Sequence, residues 1–532
     1  MDSRLVILLV LSLAIACHRP SGPSPRIDHH YSREPANLRM LVDQVHAHPM
    51  EYPSGLDKTH YGYYEVSNWD RLLTHLGRLG VSSDVLLEGR ITTQLLADYQ
   101  LFYLFFPSQP APALDPDELA ALESWVRNGG GLFVVGEHSN ANQNAQRLNP
   151  LLQRFGMKLS YATLVDAQAT FAFGGWDKQR ALMEHPVTRG VRALAVVSAG
   201  SIDLEPAHPD HPRALALSSP SAFLDSWDPK APEAGYSGNL LRDDGEPQGQ
   251  FAALAAATPG RGRVVVVADH NAFSNVFLYY GDNLTLAAQG FAWLAAGALP
   301  LPSRDDGGAE TFSLLMPETT MPSDVMTPHS FEHGLAATSF FTFYTALNRH
   351  PQVRVHCTEW LEGRYSAILL CPQKGRFTSA YLDYLERARQ QGTTVIVMVD
   401  QPLGQGTLQV LERLAVATPG PAAPGHEPVK LRVGPRELGM TEVAYLGWAG
   451  LEGQPVVELH GSAGVVPVVV QAAPGVQLFL QPRMVRNDAF RTAHGGVLGT
   501  GPLKPADMVV FETVWAWLDT LVAKEKSLPA SR

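Results

Sequence analysis

Short apolar runs alternate along this chain with stretches of helical period, the pattern of a parallel α/β sheet. "LRMLVDQV" reads as a strand and "NWDRLLTHLGRLG" as an amphipathic helix with Ser67 or Asn68 as its cap. "SSDVLLEG" and "LFYLFFP" predict two further strands. "DPDELAALESWVRNGGG" predicts a helix opened by acidic residues and closed by glycine, and "GLFVVGEH" a central strand behind it.

The same series returns downstream. "FSLLMPE" matches "LRMLVDQ", and "YSAILLCPQ" matches "YQLFYLFFPSQ". "SAYLDYLERARQQGTTVIVMVDQP" matches "DELAALESWVRNGGGLFVVGEHSN", which sets Asp400 opposite Glu137 and Gln401 opposite His138. "GVQLFLQPRMVRNDAF" answers "GRVVVVADHNAFSN". A repeat this long predicts two tandem domains of one fold, residues 38–298 and 311–522, with a polar linker over 299–310 and a tail over 523–532. In the first copy, "HPVTRGVRALAV" and "HPRALALSSPSAFL" add a β-rich insertion before the last strand.

Ahead of the first copy, residues 1–17 read as a targeting segment: Arg4 supplies the charge, and Leu5 to Ala16 is apolar but too short to span a bilayer. Its end, "LAIAC", resembles a bacterial lipobox, so Cys17 is expected to carry acyl chains at the mature N-terminus. His18, in place of Asp, favours the outer membrane, facing the periplasm. Pro and Ser enrichment over 18–37 predicts a flexible tether.

With 532 residues, 45% of them hydrophobic, the chain has room for sizeable cores. Its 41 basic residues against 52 acidic ones, with no basic run, exclude nucleic acid as a partner, because phosphate binding needs clustered Lys and Arg. Away from Cys17, Cys357 and Cys371 each end a strand-like run. A disulfide between neighbouring strands and two buried thiols are both open.

The forms "GGGLFVVGEH", "HPVTRGV" and "GRVVVVADHNAFSN" resemble the class I glutamine amidotransferase-like superfamily, in particular its envelope-associated, uncharacterised members. The resemblance implies an α/β fold of two tandem flavodoxin-like, amidotransferase-like domains with parallel sheets, the second degenerate. In that family a Cys on a tight Gly-x-Cys-x-Gly elbow follows the central strand. Here the elbow aligns with "GEHSN", so His138 stands in the nucleophile's place and Gln401 in the second copy. Neither copy offers a Cys there, so thioester chemistry on glutamine is excluded.

Ligands of open parallel sheets bind beyond the carboxyl ends of the strands. In the first copy those ends gather Asp43 with His46 and His48, then Glu137 and His138, then Asp269, His270, Asn271 and Asn275. In the second they read Glu318, Cys371, Asp400, Gln401 and Arg483, with every histidine gone. The candidate ligand-binding set is therefore Asp43, His46, Glu137, His138, Asn140, Asp269, His270, Asn271 and Asn275. Five of these, His46, Glu137, His138, Asp269 and His270, suit a divalent metal ion such as Zn²⁺, which takes imidazole nitrogen and carboxylate oxygen. No compact motif such as His-Glu-x-x-His accompanies them. Against a ligand site stands helix capping, for which Ser139 or Asn140 is well placed ahead of "AQRLNPLL".

The expected function is that of a non-catalytic envelope lipoprotein, held to the membrane through Cys17, that binds a small polar or glycan ligand or an envelope partner protein. The alternative is a metal-assisted hydrolase using the His/Asp/Glu cluster of the first copy.

Overall fold

The computed structural model describes residues 25–31, 38–47, 69–166, 176–179, 181–197, 199–226, 230, 238–274, 277, 278, 280–299, 312–317, 343, 347, 350, 352–358, 364–371, 375–449, 451–462, 464–485 and 505–527. Cys17, His48, Asn275 and Glu318 lie outside the described residues.

Five parallel strands form the centre of the first sheet: β1 (Leu38–Asp43), β2 (Val81–Glu88), β3 (Leu101–Phe105), β4 (Gly131–Val135) and β5 (Arg263–Val267). Their order across the sheet is β2-β1-β3-β4-β5. Successive side chains of a strand point to opposite faces, so a continuous apolar run needs cover on both. β3 sends Leu101, Tyr103 and Phe105 into one core and Phe102 and Leu104 into the other.

Four helices supply that cover: α1 (Asp70–Arg78), α2 (Pro116–Arg127), α3 (Asn144–Leu152) and α4 (Asn283–Leu294). α1 and α4 bring Leu72, Leu76, Leu286 and Phe291 to the first core, while α2 and α3 bring Leu122, Trp125, Leu148 and Leu151 to the second. Each such burial is worth about 1.5–3 kcal/mol, against at most about 0.7 kcal/mol between ordinary helix propensities, so packing rather than propensity holds these helices. The acidic opening of α2 is a capping box: Asp115 accepts the Glu118 amide (3.0 Å), and Glu118 Oε2 accepts the Asp115 amide (2.9 Å). Gly129, at φ +119°, then turns the chain into β4 in a conformation that L side chains rarely adopt.

The second sheet follows the same plan. Its parallel strands are β6 (Phe312–Pro317), β7 (Val353–Thr358), β8 (Ala367–Leu370), β9 (Thr394–Met398) and β10 (Val476–Phe479), in the order β7-β6-β8-β9-β10. Helices α5 (Ser379–Gln390) and α6 (Gln405–Arg413) pack on one face, and α7 (Pro505–Lys526) on the other. The chain is thus a mixed α/β protein with two large, parallel-rich sheets of like strand order.

Two details differ from expectation, and a third decides between alternatives left open. Arg26–Tyr31, inside the expected tether, is a strand paired antiparallel with β2. The β-rich insertion is not confined to the first copy. Both sheets extend beyond their last parallel strand, through Ala252–Ala257 next to β5 and through Gly464–Ala473 next to β10. Finally, Cys371 is a free, buried thiol. It follows β8 whereas Cys357 lies in β7, and β6 runs between those strands. Two strand steps of about 4.8 Å exceed the Cα separation that a disulfide spans.

Candidate functional site

β4 and β5 are adjacent, and Val135 and Val267 are register partners at their ends. The Gly136 amide donates to the Val267 carbonyl (2.8 Å), carrying the pairing one step further. Glu137 and Asp269 each follow their register partner by two residues, so they emerge at one level. Glu137, Asp269 and His270 each offer a ligand atom, and these atoms lie within 4.8 Å of one another. Glu137 is 1% exposed and Asp269 fully buried.

Glu137 is held from both strands. Its Oε1 accepts the His138 amide (2.8 Å), and its Oε2 accepts the His270 amide (3.2 Å) and contacts His270 Nδ1. Burial alone would push its carboxyl upward, yet His270 and His138, through charge and hydrogen bonds, hold it below the ordinary carboxylate value. The His270 ring stacks on Phe106, with centroids 4.7 Å apart and planes 15° from parallel. Asp269 Oδ1 accepts the Asn271 amide (2.9 Å), and Asn271 Nδ2 lies 3.4 Å from His270 Nδ1.

His138 turns the other way. Its Nδ1 contacts Ser139 Oγ and lies 3.5 Å from Thr163 Oγ1, while its Nε2 is 3.4 Å from Glu137 Oε1. Burial pushes this imidazole below its ordinary value; Glu137 raises it in part and His270 lowers it again. The turn that follows is strained. Ser139, Asn140, Asn142 and Gln143 have φ of 43°, 61°, 48° and 62°, left-handed conformations that cost non-glycine residues of order 1–3 kcal/mol each. Asn140 Oδ1 accepts the Gln146 amide (2.9 Å) in the first turn of α3, so the capping expected of "GEHSN" is present beside the polar cluster.

Asp43 and His46 do not join this group. β3 separates β1 from β4, so the expected single cleft divides into two clusters. His46 Nδ1 is 2.9 Å from Asp43 Oδ2, and its Nε2 is 3.4 Å from Glu118 Oε2. Burial would lower the His46 pKa, but Asp43 and then Glu118 outweigh it and hold it up at about 10. Glu118 is itself pulled down to about 2: its burial acts upward, and His46 with the Asp115 and Ile91 amides overcomes it. His46 is therefore an imidazolium clasped between two carboxylates, tying the end of β1 to the start of α2. With both ring nitrogens engaged it is a poor metal ligand.

Sequence reasoning missed Glu118, read only as a helix opener, along with Phe106 and Thr163. The capping-box spacing Asp115-x-x-Glu118 signals the first; no local signal marks the other two. What remains is one set of two buried carboxylates and one imidazole, a donor set suited to Zn²⁺ or a similar divalent ion.

Residues 88–291 match the family described as "Domain of unknown function (DUF4350)", a span that contains Glu137, His138, Asp269 and His270. No curated protein matches the chain. Similar solved structures include the mmIFT52 N-terminal domain, with 16% identity, 49% of this chain and 100% of that one covered, and a TM-score of 0.35. A putative ThuA-like protein from Bacteroides uniformis shows 14% identity over 52% of this chain and 95% of that one, with a TM-score of 0.30. The cytoplasmic protein STM1381 from Salmonella typhimurium shows 14% identity over 48% and 98%, with a TM-score of 0.31. At these values none of the three bears on what the chain does. The resemblance to glutamine amidotransferases is corrected by this outcome: the matching family is DUF4350, and no amidotransferase family is found. The turn after β4 holds left-handed Ser139, Asn140, Asn142 and Gln143, with no Cys at the elbow position.

Proposed function

We propose that this chain is a cell-envelope lipoprotein whose first sheet binds a small polar or glycan-like ligand, or a group on an envelope partner, through a divalent cation held by Glu137, Asp269 and His270. The observation that carries the reading is the convergence of their three ligand atoms within 4.8 Å. Two buried carboxylates at that spacing repel, and a cation offsets the repulsion. Three protein ligands leave a coordination position for water or a ligand. The strand order of both sheets supports tandem flavodoxin-like domains, which bind ligands at this end. Anchoring rests on "LAIAC" and Cys17 alone. The second copy serves as a structural or docking unit.

Thermal unfolding of the chain lacking residues 1–17, with and without Zn²⁺ or Mn²⁺, tests the cation. A rise in Tm that disappears in Asp269→Asn supports the reading, and equal behaviour of the two proteins removes it.

A second reading is metal-assisted hydrolysis. It is favoured by His138, whose pKa burial lowers and whose ring nitrogen lies 3.4 Å from Glu137, within reach of a proton exchanged there. A bound cation would supply the acidity that makes water nucleophilic near neutral pH. Turnover of an ester or amide substrate that is lost in His138→Ala, with cation uptake unchanged, would select this reading over simple binding.

A further inference from the structure

We infer that the second sheet carries a closed version of the same site, in which Arg483 is a built-in replacement for the exchangeable cation of the first, so that one chain takes up one divalent ion and not two. The inference rests on the cation reading of Glu137, Asp269 and His270.

The two strand ends share the same pair of backbone-amide hydrogen bonds. The Val399 amide donates to the Phe479 carbonyl (2.9 Å), as the Gly136 amide does to Val267 (2.8 Å). Asp400 then follows β9 as Glu137 follows β4, and it accepts the amide of the next residue, Gln401, at 2.8 Å, the distance from His138 to Glu137. From this point the chemistry diverges. Gln481 stands two residues past β10, where Asp269 stands past β5. Its side chain is consumed by the backbone: Oε1 accepts the Leu446 amide, and Nε2 donates to the Leu446 (2.7 Å) and Pro467 (3.0 Å) carbonyls. Pro482 takes the place of His270 and offers no ligand atom.

Arg483 comes next, four residues past β10 as Asn271 is four past β5. Its Nε lies 3.5 Å from Asp400 Oδ1. A guanidinium keeps its charge at any pH a protein survives, so Asp400 has a fixed positive group beside it. The first sheet has Asn271 rather than a basic residue at that position, and Glu137 meets the imidazoles of His270 and His138 instead of a guanidinium. Among the described residues, the group around Glu137 is also the one set able to hold a metal ion.

Asn271→Arg places a guanidinium at the equivalent position of the first sheet. Equilibrium dialysis of the chain lacking residues 1–17 against Zn²⁺, followed by elemental analysis, should return one ion per chain. Asn271→Arg should weaken that uptake more than tenfold while circular dichroism stays native. If Asn271→Arg does not fold, Asp400→Asn replaces it as the test and should leave the count at one. Two ions per chain falling to one in Asp400→Asn would overturn the inference, as would undiminished uptake by a folded Asn271→Arg. No ion in the unsubstituted chain would instead remove the cation reading beneath it.

Discussion

A single carboxylate oxygen, Glu137 Oε2, accepts the backbone amide of His270 and meets its Nδ1, fastening the end of β4 to the end of β5. Neutral and charged hydrogen bonds differ about twofold in strength, so the ionised form of Glu137 is central to this junction. Glu137→Gln should lower unfolding stability by about 1.5–3 kcal/mol, read from urea denaturation. A change under about 0.5 kcal/mol would mean that the junction does not depend on the charge.

The clasp of Asp43, His46 and Glu118 sets a separate pH dependence. His46 is raised to about 10, so its stabilisation is complete below its unfolded value of 6.5 and fades as pH rises from there through 10. Glu118 is lowered to about 2, so its share is complete above 4.5 and fades as pH falls toward 2. His46→Gln should cost about 3–5 kcal/mol at pH 6, because it leaves two buried carboxylates without their cation. The same variant should flatten the alkaline limb of the stability profile. An alkaline limb identical in the two proteins would place its origin elsewhere.

Both clusters lie at strand ends, yet only part of each was legible in the sequence. Continuous apolar runs such as "LFYLFF" mark strands buried on both faces, and the polar residues behind them mark the ligand end. The lateral order of strands is not written in any one run. The sequence therefore joined Asp43 and His46 to Glu137, although β3 lies between them. "RIDHHY" read as tether because its polar side chains hide an edge strand whose partner, β2, is remote in the chain. Phe106 went unnoticed as the stacking partner of His270 because burial of one ring against another depends on tertiary contact alone.

The turn after β4 stores backbone strain at Asn142, whose φ is 48°. Glycine tolerates this region, so Asn142→Gly should raise stability by up to about 1 kcal/mol in urea denaturation. Loss of stability would show that the Asn142 side chain contributes more than its backbone strain costs.

If Cys17 carries the proposed lipid anchor, membrane attachment depends on it. Fractionation of cells carrying Cys17→Ser should move the protein from the membrane to the soluble fraction. No described helix is long and apolar enough to retain it. Full membrane retention would end the lipoprotein assignment.

Anomalous diffraction at the zinc edge, from crystals grown with Zn²⁺, locates the ion at the strand ends. One peak is expected about 2.0–2.2 Å from a Glu137 oxygen, an Asp269 oxygen and a His270 nitrogen, with the direct Glu137–His270 contact opened to admit the ion. An intact Glu137–His270 contact with no peak beside it, in crystals that bind zinc elsewhere, would contradict it.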